Sequence, residues 1–182
     1  MKNKEVKKEP IIFIGFMGTG KTTLGKYIAE KEGKSFIDLD QLIELRTHQT
    51  IPEIFELKGE SGFRKLETQY LQEAINEYDI ISTGGGVIES PDSMEILSHY
   101  KFIIWLDASI QLIYDRIKND SNRPNAANKA FDELKRLYLS RVSRYNEIAF
   151  SRMDTDNDLS LLHQNLMNII IANDQYWREW II

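Results

Sequence analysis

The chain has 182 residues, enough for one domain with a buried core and a ligand cleft. Its formal net charge of −5, from 28 acidic and 23 basic residues, argues against a protein that binds nucleic acid through a general basic face. It contains no cysteine, which excludes disulfides and thiolate catalysis and agrees with the cytoplasmic location that we expect.

Residues 1–9 are rich in lysine, and we predict that they form a flexible lead-in to a single domain over residues 10–173. The apolar run "IIFIG" that follows Pro10 is too short for a signal-peptide core or a membrane span. It is typical of a buried strand in a parallel sheet, and a helix should follow from Lys21.

Four more strands are predicted along the chain, at "FIDLD", "YDIISTGGG", "KFIIWLD" and, more weakly, "FSRMDTD". The clearest helix covers residues 59–78, where apolar residues recur with a 3.6-residue period. Alternating strands and helices predict an α/β three-layer sandwich with a central five-stranded parallel sheet. The polar segment "KNDSNRPNAANK" should be an exposed loop, and residues 174–182, with Trp177 and Trp180, a C-terminal tail.

The segment 15–22 matches the phosphate-loop pattern G-x-x-x-x-G-K-[ST] and lies between a strand and a helix, as that function requires. Glycines allow backbone N–H groups to approach phosphate oxygens, and the start of the helix favours negative charge. The alternative is an ordinary glycine-rich turn with a solvated lysine. The predicted ATP-binding residues are Gly18, Thr19, Gly20, Lys21, Thr22 and Thr23, of which Thr22 also supplies a hydroxyl for Mg²⁺.

Two aspartates, Asp38 and Asp40, stand at the end of the second predicted strand. If the strand continues, both side chains project to the same side of the sheet. One carboxylate could then hold water around Mg²⁺ while the other bonds a substrate hydroxyl. The alternative for Asp40 is the N-cap of a helix that begins at "QLIEL".

The stretch "GESGFRKLE" puts Arg64 and Glu67 three residues apart on one helix face, where the carboxylate can orient the guanidinium. An oriented guanidinium can bind a substrate carboxylate through two hydrogen bonds, although an ordinary surface ion pair is the alternative. The glycines in "STGGGVI" could bring backbone against a ligand without intruding side chains.

Taken together, these motifs resemble the shikimate kinase family. The resemblance extends from "GFMGTGKTTLGK" through "FIDLDQLIE", "GESGFRKLE", "STGGGVI" and "NRP" to "SRVSRYNEIA". Its specific part is the ordered set of acidic pair, G-E-x-x-F-R-x-x-E and triple glycine. It implies a P-loop NTPase fold of the nucleoside-monophosphate-kinase type. It also implies transfer of the γ-phosphate of ATP to the 3-hydroxyl of shikimate, on the route to chorismate and aromatic amino acids.

The resemblance also implies roles for individual residues. The expected shikimate contacts are Asp40 and Arg64, in a substrate-binding region at about residues 38–67, and Gly85 and Arg141, which lie outside that region. Asp38 joins Thr22 beside Mg²⁺, and Arg123 belongs to a mobile lid, at about residues 119–130, that closes over ATP. The expected catalytic residues are Lys21, Asp40 and Arg123.

The chain departs from the family pattern at two places. After Arg123 and Pro124 it continues with "NAANK", where most family members have leucines. The segment "DTDND" has Asn157 near the position at which many relatives place an arginine beside adenine. Two alternatives stay open: another small-molecule kinase such as a gluconate kinase, and a catalytically silent nucleotide-binding relative. We expect a monomer that binds neither nucleic acid nor membrane.

Overall fold

The computed structural model describes residues 9–118 and 131–173. Within these ranges the strands are β1 (Ile11–Ile14), β2 (Phe36–Asp38), β3 (Ile80–Ser82), β4 (Ile103–Asp107) and β5 (Ser151–Asp154). They form one parallel sheet in the order β2-β3-β1-β4-β5. The predicted five-stranded parallel sheet is therefore confirmed.

The helices of the described ranges cover both faces of this sheet. They are α1 (Lys21–Glu32), α2 (Leu39–Thr47), α3 (Ile51–Glu77), α4 (Pro91–Ser98), α5 (Ile110–Lys118), α6 (Phe131–Ile148) and α7 (Leu159–Asn173), with a short 3₁₀ turn at Val87–Glu89. None of them combines the length and the apolar content that crossing a bilayer needs.

The central strand β1 shows why the sheet needs two helical layers. Its four residues are fully buried, and alternate side chains point to opposite faces of the sheet. Ile12 and Ile14 join a core cluster with residues of α3 and α6, whereas Ile11 and Phe13 join a second cluster with α1 and α7. The predicted three-layer α/β sandwich follows from this division.

Strand β2 is shorter than the sequence predicts. It ends at Asp38, and the Asp38 side chain caps α2 by accepting hydrogen bonds from the backbone N–H groups of Asp40 (3.1 Å) and Gln41 (3.4 Å). The expectation that the strand continues through Asp40 is wrong, because this cap begins the helix two residues earlier. The N-cap of α2 is therefore Asp38 and not Asp40, which lies in the first turn of the helix.

Helix α3 is longer than the predicted helix and contains a break. It begins with a capping box between Thr50 and Glu53, and its backbone leaves helical geometry at Gly59, where φ is 66° and ψ is −177°. Only glycine adopts such angles without strain. The break separates a mostly exposed first part of the helix from a second part that packs on the core. That second part contains the stretch "GFRKLE".

Candidate active site

A cleft of about 760 Å³ lies at the carboxyl ends of the central strands. The loop between β1 and α1 forms one wall, the ends of β2 and β3 form another, and residues of α5 and of the segment after β5 close the third side. Parallel α/β sheets bind their ligands at this edge. The lining includes the predicted residues Gly18, Thr19, Gly20, Lys21, Thr22, Thr23, Asp38, Asp40 and Gly85.

The loop between β1 and α1 has a backbone that only its glycines allow. Gly15 has a φ of 137°, and a Cβ at this residue would lie 2.1 Å from the carbonyl oxygen of Leu106 on the neighbouring strand. Gly20 has a φ of 87° and is the N-cap of α1. Because glycine has no side-chain oxygen to accept from the first N–H groups of α1, those groups suit an anion.

Lys21 is almost fully buried at the start of α1 and points back into the loop. Its Nζ donates hydrogen bonds to the carbonyl oxygens of Gly15 and Phe16, each at 2.8 Å. These contacts hold the ammonium group at the wall of the cleft. The neighbouring Thr22 donates from Oγ1 to Oδ2 of Asp38 at 2.5 Å, so the two residues predicted to lie beside Mg²⁺ are in direct contact.

The acceptor side is built around a buried ion pair on α3. Nη1 of Arg64 lies 2.7 Å from Oε2 of Glu67, whose side chain is fully buried, while that of Arg64 is 16% exposed. A Cβ on Gly86 would lie 2.2 Å from Nη2 of Arg64, and one on Gly84 would lie 3.0 Å from Oε1 of Glu67. A side chain at Gly86 would thus displace the Arg64 guanidinium, and one at Gly84 would crowd the Glu67 carboxylate.

Asp40 meets the same glycine segment from α2. A Cβ on Gly84 would lie 3.1 Å from Oδ1 of Asp40, about as close as it would come to Glu67. Burial raises the pKa of Glu67, the Arg64 guanidinium opposes this, and the nearby Asp40 carboxylate adds to the rise, so that the pKa is about 7. A buried carboxyl group with a pKa near neutrality therefore lies beside the cleft, behind Gly84 and Asp40.

Helix α6 supplies a second arginine to the acceptor side. The side chain of Arg141 is 11% exposed, and its Nε lies 2.7 Å from Oε1 of Glu89 in the 3₁₀ turn. One turn further along α6, the buried hydroxyl of Tyr145 donates a hydrogen bond to the carbonyl oxygen of Gly85. The middle glycine is thereby held between α6 and the phosphate loop, where its Cβ would lie 3.1 Å from the backbone N of Met17.

Sequence reasoning missed several of these positioning contacts. Arg116 on α5 donates from Nη1 to the carbonyl oxygen of Gly18 (3.3 Å) and from Nη2 to that of Thr155 (3.1 Å), which ties the phosphate loop to the segment after β5. Glu89 and Tyr145 also lie outside the predicted set of site residues. Tyr145 lies in the quoted stretch "SRVSRYNEIA", but Arg116 and Glu89 stand in no motif, so the sequence offered no signal for them.

Some of the predicted features lie outside the described residues. These are most of the lead-in, the loop with Arg123, and the tail with Trp177 and Trp180. Asn157 does line the cleft, next to Asp158 and Leu159.

These elements define a class of protein. A glycine-rich loop at the start of a helix, with a buried lysine, faces a second side that has two arginines and an aspartate. This arrangement on a parallel α/β sheet is that of a P-loop kinase for a small anionic acceptor.

Comparison with known proteins identifies the family within this class. A family model described as shikimate kinase matches residues 17–172. The chain is 54% identical over 170 residues to a shikimate kinase from Staphylococcus aureus, an alignment that covers 93% of this chain and 98% of that protein. The chain belongs to the shikimate kinase family.

Solved structures agree with this assignment. A shikimate kinase from Acinetobacter baumannii, in complex with shikimate, superimposes with a TM-score of 0.82 and 34% identity, covering 92% of this chain and 96% of that one. A gluconokinase from Sinorhizobium meliloti gives a TM-score of 0.64 at 15% identity over 94% of this chain and 98% of that one, which shows a shared fold alone.

Proposed function

We propose that this chain transfers the γ-phosphate of ATP to the 3-hydroxyl of shikimate, giving shikimate 3-phosphate and ADP. The observation that supports this most strongly is a convergence on the glycine segment 84–86. Arg64, Glu67 and Asp40 meet it from one side, and the phosphate loop meets it from the other. A carboxylate-bearing alcohol held between them would present its hydroxyl toward the bound nucleotide.

The nucleotide side would act through backbone and charge. The N–H groups of Gly18, Thr19 and Gly20 and of the first turn of α1 suit the phosphates, and Thr22 and Thr23 add hydroxyl groups. Lys21 would exchange its carbonyl partners for phosphate oxygens. It would then stabilise the charge on the transferring phosphoryl group, which is the main requirement of this chemistry.

The residues around Thr22 fit a magnesium ion. The Thr22 hydroxyl and the Asp38 carboxylate are hard oxygen donors in mutual contact. Ser82 on β3 lies opposite Asp38 in the register of β2 and β3. Its buried Oγ has no hydrogen-bond partner among the described atoms. Within the described ranges, no group of three or more Asp, Glu, His or Cys side chains could hold a metal ion by itself. Mg²⁺ usually keeps several waters and phosphate oxygens as ligands. When bound, Mg²⁺ would neutralise phosphate charge.

The acceptor side would position shikimate by its two ends. Arg64 and Arg141 would bind the carboxylate, and the pairing of the Arg141 Nε with Glu89 leaves its Nη nitrogens as the donors for that contact. Gly85 would offer its backbone. Asp40 would orient the 3-hydroxyl and accept its proton late, because a loose transition state needs positioning more than strong proton abstraction.

Other parts of the proposal depend on the resemblance. Arg123 would close over ATP from the lid and stabilise the transferring phosphoryl group. The domain limits, a monomeric state and a cytoplasmic location also remain predictions.

A coupled assay of ADP release tests the proposed function. ADP should form rapidly with shikimate, and only at background rate with gluconate or with no acceptor. Equal rates with the two acceptors would favour a broader sugar-acid kinase. ATP binding without acceptor-dependent ADP release would contradict the proposal and indicate a catalytically silent relative.

A further inference from the structure

We propose that Phe16 is a positioning residue that couples the ATP site to the acceptor site. Its backbone carbonyl holds Lys21 on the nucleotide side, and its aromatic ring holds Arg141 on the acceptor side. The inference rests on the proposed function, in which Lys21 meets phosphate and Arg141 meets the substrate carboxylate.

The peptide of Phe16 is part of the phosphate loop. Its carbonyl oxygen accepts hydrogen bonds from Nζ of Lys21 (2.8 Å) and from Oγ1 of Thr19 (2.8 Å). A Cβ on Gly85 would lie 3.5 Å from its carbonyl carbon, so the glycine segment also packs against this peptide. The groups that bind phosphate and the backbone offered to the acceptor thus meet at one residue.

The ring of Phe16 is fully buried between two side chains of α6. The Cζ of Arg141 lies 5.7 Å from the ring centroid, within the range of a cation–π contact. The ring of Tyr138, one turn earlier on the helix, meets Phe16 edge to face with centroids 5.6 Å apart. The Tyr138 hydroxyl donates to the carboxylate of Asp107 at 3.1 Å, which fixes this side of the helix to the end of β4.

These contacts give a direct physical reason for coupling. Binding of ATP phosphates draws Lys21 away from the Phe16 carbonyl, which changes what holds the Phe16 peptide and hence the position of its ring. Because the ring lies against the Arg141 guanidinium, the arginine's position for binding the acceptor changes too. Coupling between binding sites is reciprocal, so the acceptor must alter ATP affinity by the same factor.

The test compares Phe16→Leu with Phe13→Leu, which removes the same ring from a fully buried position on the other face of the sheet. Calorimetry gives the affinity of each protein for a β,γ-imido analogue of ATP, with and without saturating shikimate. We expect shikimate to tighten this affinity about fivefold or more in the wild type and in Phe13→Leu, the usual scale of such coupling. In Phe16→Leu, shikimate should change the affinity for the ATP analogue by less than about twofold. Shikimate binding itself should weaken about 2- to 30-fold, the range of a cation–π contact.

A double-mutant cycle with Arg141→Lys separates coupling from a general packing defect. The effects of Phe16→Leu and Arg141→Lys on shikimate affinity should be non-additive, because each disrupts the same contact. Where Phe16→Leu fails to fold, Phe16→Met takes its place under the same criteria.

The outcomes distinguish this inference from the proposed function. Normal turnover of shikimate together with an unchanged coupling factor in the Phe16 variant, an equal loss of coupling in Phe13→Leu, or additive effects in the cycle would overturn the role of Phe16 alone. A wild-type protein that neither binds nor phosphorylates shikimate would overturn the proposed function, and the inference with it.

Discussion

Replacing Arg64 by lysine keeps the positive charge on α3 but removes the planar pair of donors. In the structure, Nη1 is 2.7 Å from the fully buried Glu67 carboxylate, while Nη2 lies 3.4 Å from the exposed carboxylate of Glu60, a weak surface contact that a substrate carboxylate would replace. A lysine ammonium cannot meet both partners in this geometry. Loss of one charge-assisted hydrogen bond costs about 1.5–3 kcal/mol, so the KM for shikimate should rise about 10- to 150-fold.

The KM for ATP should change less than about twofold, because Arg64 lies outside the lining of the cleft beside the phosphate loop. Arg46→Lys is the matched control: Arg46 on α2 is 38% exposed and pairs with Glu73 at 2.5 Å, and such surface pairs contribute little. Steady-state kinetics with each substrate varied in turn provides both constants. Equal rises in the two KM values, or no rise in that for shikimate, would refute the carboxylate contact.

Three further predictions concern the chemistry of the cleft. Lys21→Ala should lower kcat by about 10²-fold or more with little change in Tm, since it removes charge that stabilises the transition state; a kcat within about twofold of wild type would exclude this role. Asp40→Asn should lower kcat by about 10²-fold while ATP affinity stays constant, and, because Asp38 caps α2, should barely alter Tm; normal turnover would remove Asp40 from the catalytic residues. Shikimate binding should take up protons near pH 7, because the bound anion further raises the pKa of Glu67 from about 7. Calorimetry in two buffers of different ionisation enthalpy measures this uptake, which should disappear in Glu67→Gln; the same uptake in both proteins would contradict it.

The phosphate loop and the alternation of strands and helices along the chain were predictable because their signals are local. The run "IIFIG" and the glycine pattern after it define β1, the loop and the start of α1 within a few residues. The end of β2 was not predictable in the same way. Leu39 is fully buried, and an apolar residue between two aspartates fits both a continuing strand and a capped helix.

Helix α3 shows a second limit of periodicity. In its first part, before Gly59, Ile54 is the only buried residue, so no apolar stripe marked the true start of the helix at Ile51. The sequence also paired Arg64 with Glu67 without showing that Glu67 is fully buried. The contacts of Arg141 with Glu89 and of Arg116 with Gly18 join residues 52 and 98 positions apart, and no local pattern encodes such pairs.

The most direct test of the central claim is the identity of the product. Phosphorus and proton NMR of a completed reaction of the wild-type protein with ATP and shikimate shows which oxygen bears the transferred phosphoryl group. We predict ADP and shikimate 3-phosphate in equal amounts, with the new phosphorus signal coupled to the proton at C3. Inorganic phosphate in place of the ester, or an ester at another hydroxyl, would contradict the account.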